Sequence, residues 1–529
     1  MPTSADPAAP SIWQPLKTPI FRNLLIADIT SDVGTFMQTV GAAWLMVSLN
    51  AGPMYVALTQ TASALPFFVF ALPAGAIGDI ADRRKLILFT ETWMAVVALL
   101  LAGLTLAGLM SPVMLLLFTF ALSAGDAFES PAWRAVLPEL VPKKELPAAA
   151  ALNGIEFNFA RAIGPALAGI LIAAAGVGIA FLVNAASFLG VIVVIARWKR
   201  AVHKPATPPE TLTGATIAGV RYVRYSPAIR ALIFRTGCVM FFASGLLALL
   251  PSVAHSVRNS PVVYGLLLGL FGLGAVLGAM LLQSVRARLS IEAAVSAAIV
   301  IFGLTAILAG SWHALPALGA AILVGGAAWI VFISQFNVLI LNLTPDWVRA
   351  RVLAVFMLVF QGAVAAGSAT WGVMAGRVGI RNALLWAGAG TIGTAALGLF
   401  LRLPNANIDV TPWIHWPTPR IVNGTATADD DAGPVLVTIE YDVIPEQAEE
   451  FLDAIYKYGR IRRRDGASRW GIFRDLETGN RYLETFIVHS WAEHLRQHER
   501  FTQADREFEE RLQSYTRSRP MVRHLLSAE

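Results

Sequence analysis

Two aspartates four residues apart, Asp28 and Asp32, sit inside an apolar run long enough to cross a bilayer as a helix. The pattern recurs once, and a third run also carries charge. Asp126 and Glu129 lie three apart in a second run, and Glu156 and Arg161 occupy a third beside Asn153 and Asn158. Residues three or four apart share a helix face. An ionisable side chain within hydrocarbon costs on the order of 2.5–3.5 kcal/mol and normally faces a cavity or a partner. A carboxylate placed there can hold a proton or release it. These acids are therefore candidates for proton coupling or for contact with a cationic substrate, with Arg161 supplying a counter-charge. A second, neutral set can hydrogen-bond a substrate: Gln335 and Asn337 in one run and Gln361 in the next. Together they describe a central cavity with an acidic wall facing a hydrogen-bonding wall. The plainer alternative is that Asp28, Asp126 and Arg161 only join helices. Glu91 and Arg235 read as structural or interfacial.

The elements that must carry these residues are apolar segments at 22–49, 54–78, 85–109, 112–133, 147–174, 177–197, 228–254, 262–285, 290–311, 315–342, 349–376 and 380–402. About 20 apolar residues in helix cross a ~30 Å hydrocarbon core, and only helices or closed barrels satisfy their backbone there. The 529 residues are 56% hydrophobic and 14% charged, and the mean hydropathy is +0.60, well outside the profile of a soluble protein. The formal net charge of +6 comes from arginines and lysines clustered in loops. That distribution orients a membrane protein and gives no reason to expect a nucleic-acid partner. Loops on the N-terminal side carry Arg83, Arg84, Lys85, Lys143, Lys144, Arg286 and Arg288, against only Arg258, Arg377 and Arg381 on the other. Both termini are thus expected in the cytoplasm of a cell whose inner membrane the chain crosses many times. Met1 to Leu16 lacks the features of a cleaved signal peptide. The lone Cys238 reads as a buried structural thiol.

The spans divide six and six. The expected organisation is a first six-helix half over 1–200, a cytoplasmic linker over 201–227, a second half over 228–403, a linker over 404–433 and a soluble domain over 434–529. Two helical halves joined by a link are a recurring transporter plan. Spans 6 and 12 have no internal charge, and spans 3 and 9 show only Glu91 and Glu292 near their ends; every third span is an expected outer helix. Thr213 to Tyr225 reads as a basic amphipathic helix on the membrane face, and Trp413 and Trp416 as interfacial contacts. The tail reads as strands Val435–Val443, Ser468–Arg474, Arg481–Val488 and Val522–Leu526, with helices Pro445–Arg464 and Ser490–Arg517. This βαββαβ order is the ferredoxin-like plan. The fold class expected is an all-α membrane protein with a small α+β domain.

Three motifs sharpen the reading. Gly75, Asp79, Arg83 and Arg84 end span 2 and open the next loop; the arginines can bridge to phosphates or to acids across the seam between halves. This stretch resembles the loop 2–3 signature of the major facilitator superfamily, with Ile80 and Asp82 departing from its basic and glycine positions. Gly164-Pro165 with Ala168 and Gly169 resembles the span 5 element of major-facilitator antiporters, where Pro165 removes a backbone donor and can kink the helix. Pro131 to Pro142, the span 5 run and the tail from Ser490 to Asp505 together resemble the transmembrane secretion effector branch, which includes enterobactin-exporter-like proteins. The resemblance implies export of a small amphipathic metabolite, siderophore or drug in exchange for protons, with no cofactor. An importer of the same fold is one alternative. Another is a membrane-anchored enzyme, because the tail resembles antibiotic-biosynthesis monooxygenase-like domains. His489, His494 and His498 lack the intervening Glu of a zinc-protease motif, so no metal is expected. The tail is expected to dock or self-associate rather than catalyse, and no phosphate-cradling loop indicates an ATP-driven pump.

Overall fold

Each apolar run folds as a helix whose ends are set by local chemistry. The structure, a computed structural model, describes residues 11–199, 212–312, 314–403, 409–413 and 433–527, without the side chains of 72, 76, 78–80 and 212–216. Helices α1 (Pro19–Ser48), α2 (Gly52–Ile80), α3 (Arg83–Leu106), α4 (Pro112–Leu140), α5 (Leu146–Ala175) and α6 (Val177–Arg197) form the first half. After α7 (Leu212–Tyr225) come α8 (Pro227–Val257), α9 (Pro261–Arg288), α10 (Ile291–Ser311), α11 (Leu315–Asn342), α12 (Asp346–Val378), α13 (Ile380–Ala395) and the short α14 (Leu397–Phe400). Side-chain oxygens of Asp82, Ser111 and Ser290 cap α3, α4 and α10 by accepting from Lys85, Met114 and Ala293 backbone N–H groups, which meets part of the donor deficit at a helix start. Among the described residues, eleven helices are long and apolar enough to cross a membrane. The 30-residue α1 is not among them; with it the transmembrane helices number twelve.

The two halves repeat one another at their tightest turn. Gly176, between α5 and α6, has φ +86°, and Gly379, between α12 and α13, has φ +85°. Both open a helix directly from the left-handed region, where a side chain would be strained. The observed spans differ from expectation mainly in α4, which continues beyond 133 to Leu140 through Pro131 and Pro138, and at Ala396, which separates α13 from α14.

The chain forms two compact units that do not follow its order. The first comprises Met1–Thr207, Arg235–Gln335 and Met357–Arg402; the second comprises Pro208–Phe234, Phe336–Phe356 and Leu403–Glu529. Within the first, Arg235 is fully buried and donates to both oxygens of Glu292, at 2.8 and 2.7 Å, and to the Leu401 carbonyl at 3.0 Å. The arginine thus ties α8 to α10, and the pair is a structural lock. A buried guanidinium without such a partner would be strongly destabilising.

The second unit is built on an antiparallel sheet, β1 (Val435–Asp442), β2 (Ser468–Arg474), β3 (Arg481–Val488) and β4 (Met521–Leu526), in spatial order β2-β3-β1-β4. Helix α15 (Ala448–Asp465) and the pair α16 (Trp491–Arg500) and α17 (Gln503–Gln513) complete it. Alternate residues of β1 point to the core, where Val437, Phe451, Tyr458 and Phe486 pack together. The single helix expected from Ser490 to Arg517 is broken at Thr502. There a capping box with Asp505 starts a new helix, the local hydrogen bonds competing with helix continuation. Backbone bonds from Trp413 to Phe501 and from Gln503 to Thr411 bind the preceding segment there. Trp413 then lies 4.0 Å from the Arg506 guanidinium and packs on the tail, while Trp416 lies outside the described residues. Helix α7 turns Tyr222 towards Arg464 and Trp347, and Arg221 pairs with Glu493 at 3.3 Å. It is thus one component of the tail's compact unit, with Ile217 and Val220 left exposed.

Candidate functional site

Polar residues recur along α1 at 28, 31, 32, 35, 38 and 39, and along α4 at 119, 123, 126, 129, 130 and 134. Helical periodicity gathers each set onto one stripe. The stripes face a cavity of about 500 Å³, which α2, α3, α5, α6, α8 and α9 also line. All five acids singled out in the sequence, Asp28, Asp32, Asp126, Glu129 and Glu156, line it. Asp28, Asp32 and Glu156 are within electrostatic reach of one another. Glu129 accepts a 2.9 Å hydrogen bond from the Thr90 hydroxyl and interacts with Asp126 and Glu91.

Other expectations are corrected. Glu91, read as structural, lines the cavity, because α3 turns it inward beside Met94. Arg161 does not line it; the cation that does is Arg134 on α4, while the Arg161 backbone lies at the crossing of α5 with α9 near Gly272. The second half contributes Leu247, Ala248, Pro251 and Tyr264, and not Gln335, Asn337 or Gln361. The cause is positional: α8 and α9 border the cavity, whereas those three amides sit on α11 and α12. Gln335 is moreover buried and accepts from the Arg286 guanidinium at 3.0 Å. Gln38, Thr39, Thr59, Gln60 and Trp133 are lining residues that reading charged positions alone leaves aside. For Gln38, Thr39 and Trp133, helical spacing from Asp28, Asp32 and Asp126 was the available signal; Thr59 and Gln60 sit on α2, which carries none of these acids.

The loop residues bind within the first half. Arg83 pairs with Glu139 at 2.7 Å and donates to the Ala135 carbonyl, and Arg84 donates to the Ile195 and Ala196 carbonyls. The described partners therefore tie α3 to α4 and α6 and do not cross to the other half. No neighbour lies within 4 Å of a Cβ built at Gly75, and the Asp79 side chain lies outside the described residues. A Cβ at Gly164 would sit 2.7 Å from that of Phe36, where α5 meets α1.

The halves meet along α5 with α9 and α2 with α12, from one end of the bundle to mid-helix, where a Cβ at Gly362 would lie 2.7 Å from the Phe68 ring. A Cβ at Gly265 of α9 would lie 2.5 Å from the Pro165 carbonyl oxygen and 3.0 Å from the Gly169 Cα of α5. On the other flank Thr61 of α2 donates to the Ala365 carbonyl of α12 at 3.0 Å, and Gly372 abuts Ala57 and Met54. Gly52, Gly176, Pro261 and Gly379 mark this end, each beside a connection reached after an odd number of spans.

A second, smaller cavity of about 40 Å³ lies in the tail, lined by His494, His498, His524 and Arg462 among apolar residues. His498 Nε2 approaches His494 Nε2 at 3.2 Å. Among the described residues no group of three or more His, Cys, Asp or Glu is arranged to hold a metal ion. Burial, then the neighbouring His498 and His524, push His494 from 6.5 down to about 3. Burial, then Arg462 and His524, push His498 from 6.5 down to about 4. The folded domain therefore refuses protons that the unfolded chain accepts below about pH 6.5, so stability falls with pH through the window from 6.5 to 4. Allowing for the partial exposure of His498, acidification from pH 7 to 5 is expected to cost the tail about 2–3 kcal/mol. Hydrogen exchange of β1 and α15 amides in the full-length protein should then accelerate by about 30- to 150-fold, corrected for intrinsic rate. Equal protection at both pH values would show that the histidines titrate normally.

Residues 10–529 match the family model described as transmembrane secretion effector. The chain is 25% identical over 385 residues to the multidrug efflux pump Tap of Mycolicibacterium fortuitum, covering 68% of this chain and 90% of that one. It is 22% identical to the staphyloferrin A transporter of Staphylococcus aureus, over 70% and 93% of the two chains. With the enterobactin exporter EntS of Salmonella typhimurium it shares 28% over 303 residues, 55% of this chain and 72% of that one. A bacterial homologue of the iron transporter ferroportin in an inward-facing state superimposes with a TM-score of 0.59 at 16% identity, covering 72% of this chain and 98% of that one. A bacterial homologue of Spinster gives 0.56 at 14% identity, over 73% and 96%.

Proposed function

Because this chain belongs to the transmembrane secretion effector family of major-facilitator transporters, we propose that it exports a small amphipathic metabolite, siderophore or drug in exchange for protons. It is a multi-pass membrane transporter and not an enzyme. One observation carries the proposal: six carboxylates, Asp28, Asp32, Glu91, Asp126, Glu129 and Glu156, line one cavity in the membrane bundle. A cavity of about 500 Å³ accommodates a drug-sized ligand. Rocking of two halves about such a site alternates its access, and carboxylates on its wall can load protons from one face and release them to the other. With both termini cytoplasmic, the end closed by Gly265 and Gly372 is external and the cavity opens inward. Arg83 and Arg84 then brace the cytoplasmic end of the first half, and Gly164-Pro165 lets α5 approach its neighbours. Self-association through the tail is part of the proposal, supported by exposed Phe473, Leu483, Met521 and Leu525.

Everted membrane vesicles carrying the protein test this reading. With an interior-acid gradient they should accumulate members of a chemically varied metabolite and drug panel against their gradients, and an uncoupler should abolish the accumulation. Uphill movement indifferent to the pH gradient would remove proton coupling. Accumulation inside intact cells expressing the protein would reverse the direction.

A further inference from the structure

We propose that the cavity selects organic cations with a fixed positive centre on an aromatic body, and favours those that also bear a hydrogen-bonding group. The inference rests on the cavity being the substrate site. Six carboxylates and a single cation, Arg134, line it among the described residues. An anion entering this space is surrounded by carboxyl groups from α1, α3, α4 and α5 with Arg134 alone to pair with, whereas a cation finds a possible partner on each. With any two of the six ionised, their charge exceeds that of Arg134 and a positive ligand is favoured.

Charge alone would describe any acidic patch, but Gln38 adds an independent preference. It is only 6% exposed, lines the cavity beside Thr39 on the stripe that carries Asp32, and neither its Oε1 nor its Nε2 has a hydrogen-bond partner. A buried amide with both functions unmet is costly, and an occupant that donates and accepts removes the penalty. Phe36 and Phe157, edge to face at 5.6 Å, supply an aromatic surface on the same wall. Such rings pack against flat apolar bodies and attract cations to their faces.

The test measures equilibrium binding to the full-length protein in lipid nanodiscs, with empty nanodiscs as background. Tetraphenylphosphonium and tetraphenylborate are near-isosteric ions of opposite sign, so they isolate charge. Saturable binding of the phosphonium with a Kd on the order of 10 μM, and none of the borate, is the expected result. Ethidium adds aromatic amines that can reach Gln38. Gln38→Ala should weaken ethidium about 10-fold and the phosphonium less than about threefold. Borate binding as tight as phosphonium binding overturns the charge selection, with no variant needed. Equal losses of both cations in Gln38→Ala overturn the hydrogen-bonding preference. If gradient-driven vesicles accumulate neutral or anionic compounds while neither cation binds, the substrate class falls and the transporter reading stands. If no gradient-driven movement occurs at all, the reading beneath it falls as well.

Discussion

If protons drive transport as proposed, Asp32→Asn and Glu156→Gln are each expected to lower uphill, pH-gradient-driven transport by about 100-fold while downhill movement of the same substrate stays within about fivefold. The two carboxylates project from different helices, α1 and α5, into one cavity and interact electrostatically. Neutral amides of nearly the same shape keep the volume and most hydrogen-bonding capacity of the acids. What they remove is the ability to take up and release a proton. In an exchanger that loss uncouples the gradient from the substrate without closing the path. Because neighbouring groups act as a unit, the double variant is expected to be little worse than either single one. Asn158→Ala is the matched control: Asn158 is exposed and donates to the Gly154 carbonyl of its own helix, so transport should be unchanged. Proteoliposomes with controlled internal and external pH separate the two modes. Parallel loss of uphill and downhill movement would instead assign the acids to substrate contact.

Which of these residues could be seen in the sequence depended on how loudly each one violates its surroundings. A carboxylate in an apolar run is conspicuous, and Asp28, Asp32, Asp126, Glu129 and Glu156 stand out for that reason. Gln38 is a milder exception, and it becomes legible only once the helical phase of α1 is fixed by the acids; Gln60, on α2, has none of them on its own helix. Glu91 was misread because its position near the helix end offers snorkelling as an equally good explanation. The amides of α11 and α12 were overread, since polarity within a span reveals a need for a partner and not which partner meets it. For Gln335 that partner is Arg286.

The transmembrane helices and all four strands were legible because periodicity and length decide them locally. The break between α16 and α17 was not, although Thr502 and Asp505 have the spacing of a capping box. A charged amphipathic stretch on both sides made continuation look equally good. Pairing with the segment around Thr411 and Trp413, distant in sequence, tips the balance. The grouping of α7 with the tail was likewise invisible. The basic face of α7 matches a membrane surface as well as it matches Glu493, and only the fold shows that Arg221 takes the latter.

Gly265→Leu is expected to reduce transport by about 5- to 150-fold while the protein still folds and inserts. At this crossing backbone meets backbone: even a Cβ would come within 2.5 Å of the Pro165 carbonyl oxygen. No rotamer change relieves that contact, so α5 and α9 must separate. Overpacking of this kind costs about 1–3 kcal/mol, enough to shift a two-state equilibrium by about 5- to 150-fold. The state closed at this end becomes inaccessible, and alternation needs both states. Gly103→Leu is the control, because nothing lies within 4 Å of a Cβ there, and it should transport normally. With Cys238 replaced by Ser, a reporter in Thr39→Cys distinguishes the mechanism. In the Gly265→Leu background a membrane-impermeant maleimide applied from the external face should label it at least about tenfold faster than in the parent. Unchanged labelling with lost transport would mean that the crossing is a static scaffold, and the proposal that the seam between α5 and α9 is the external gate would fall.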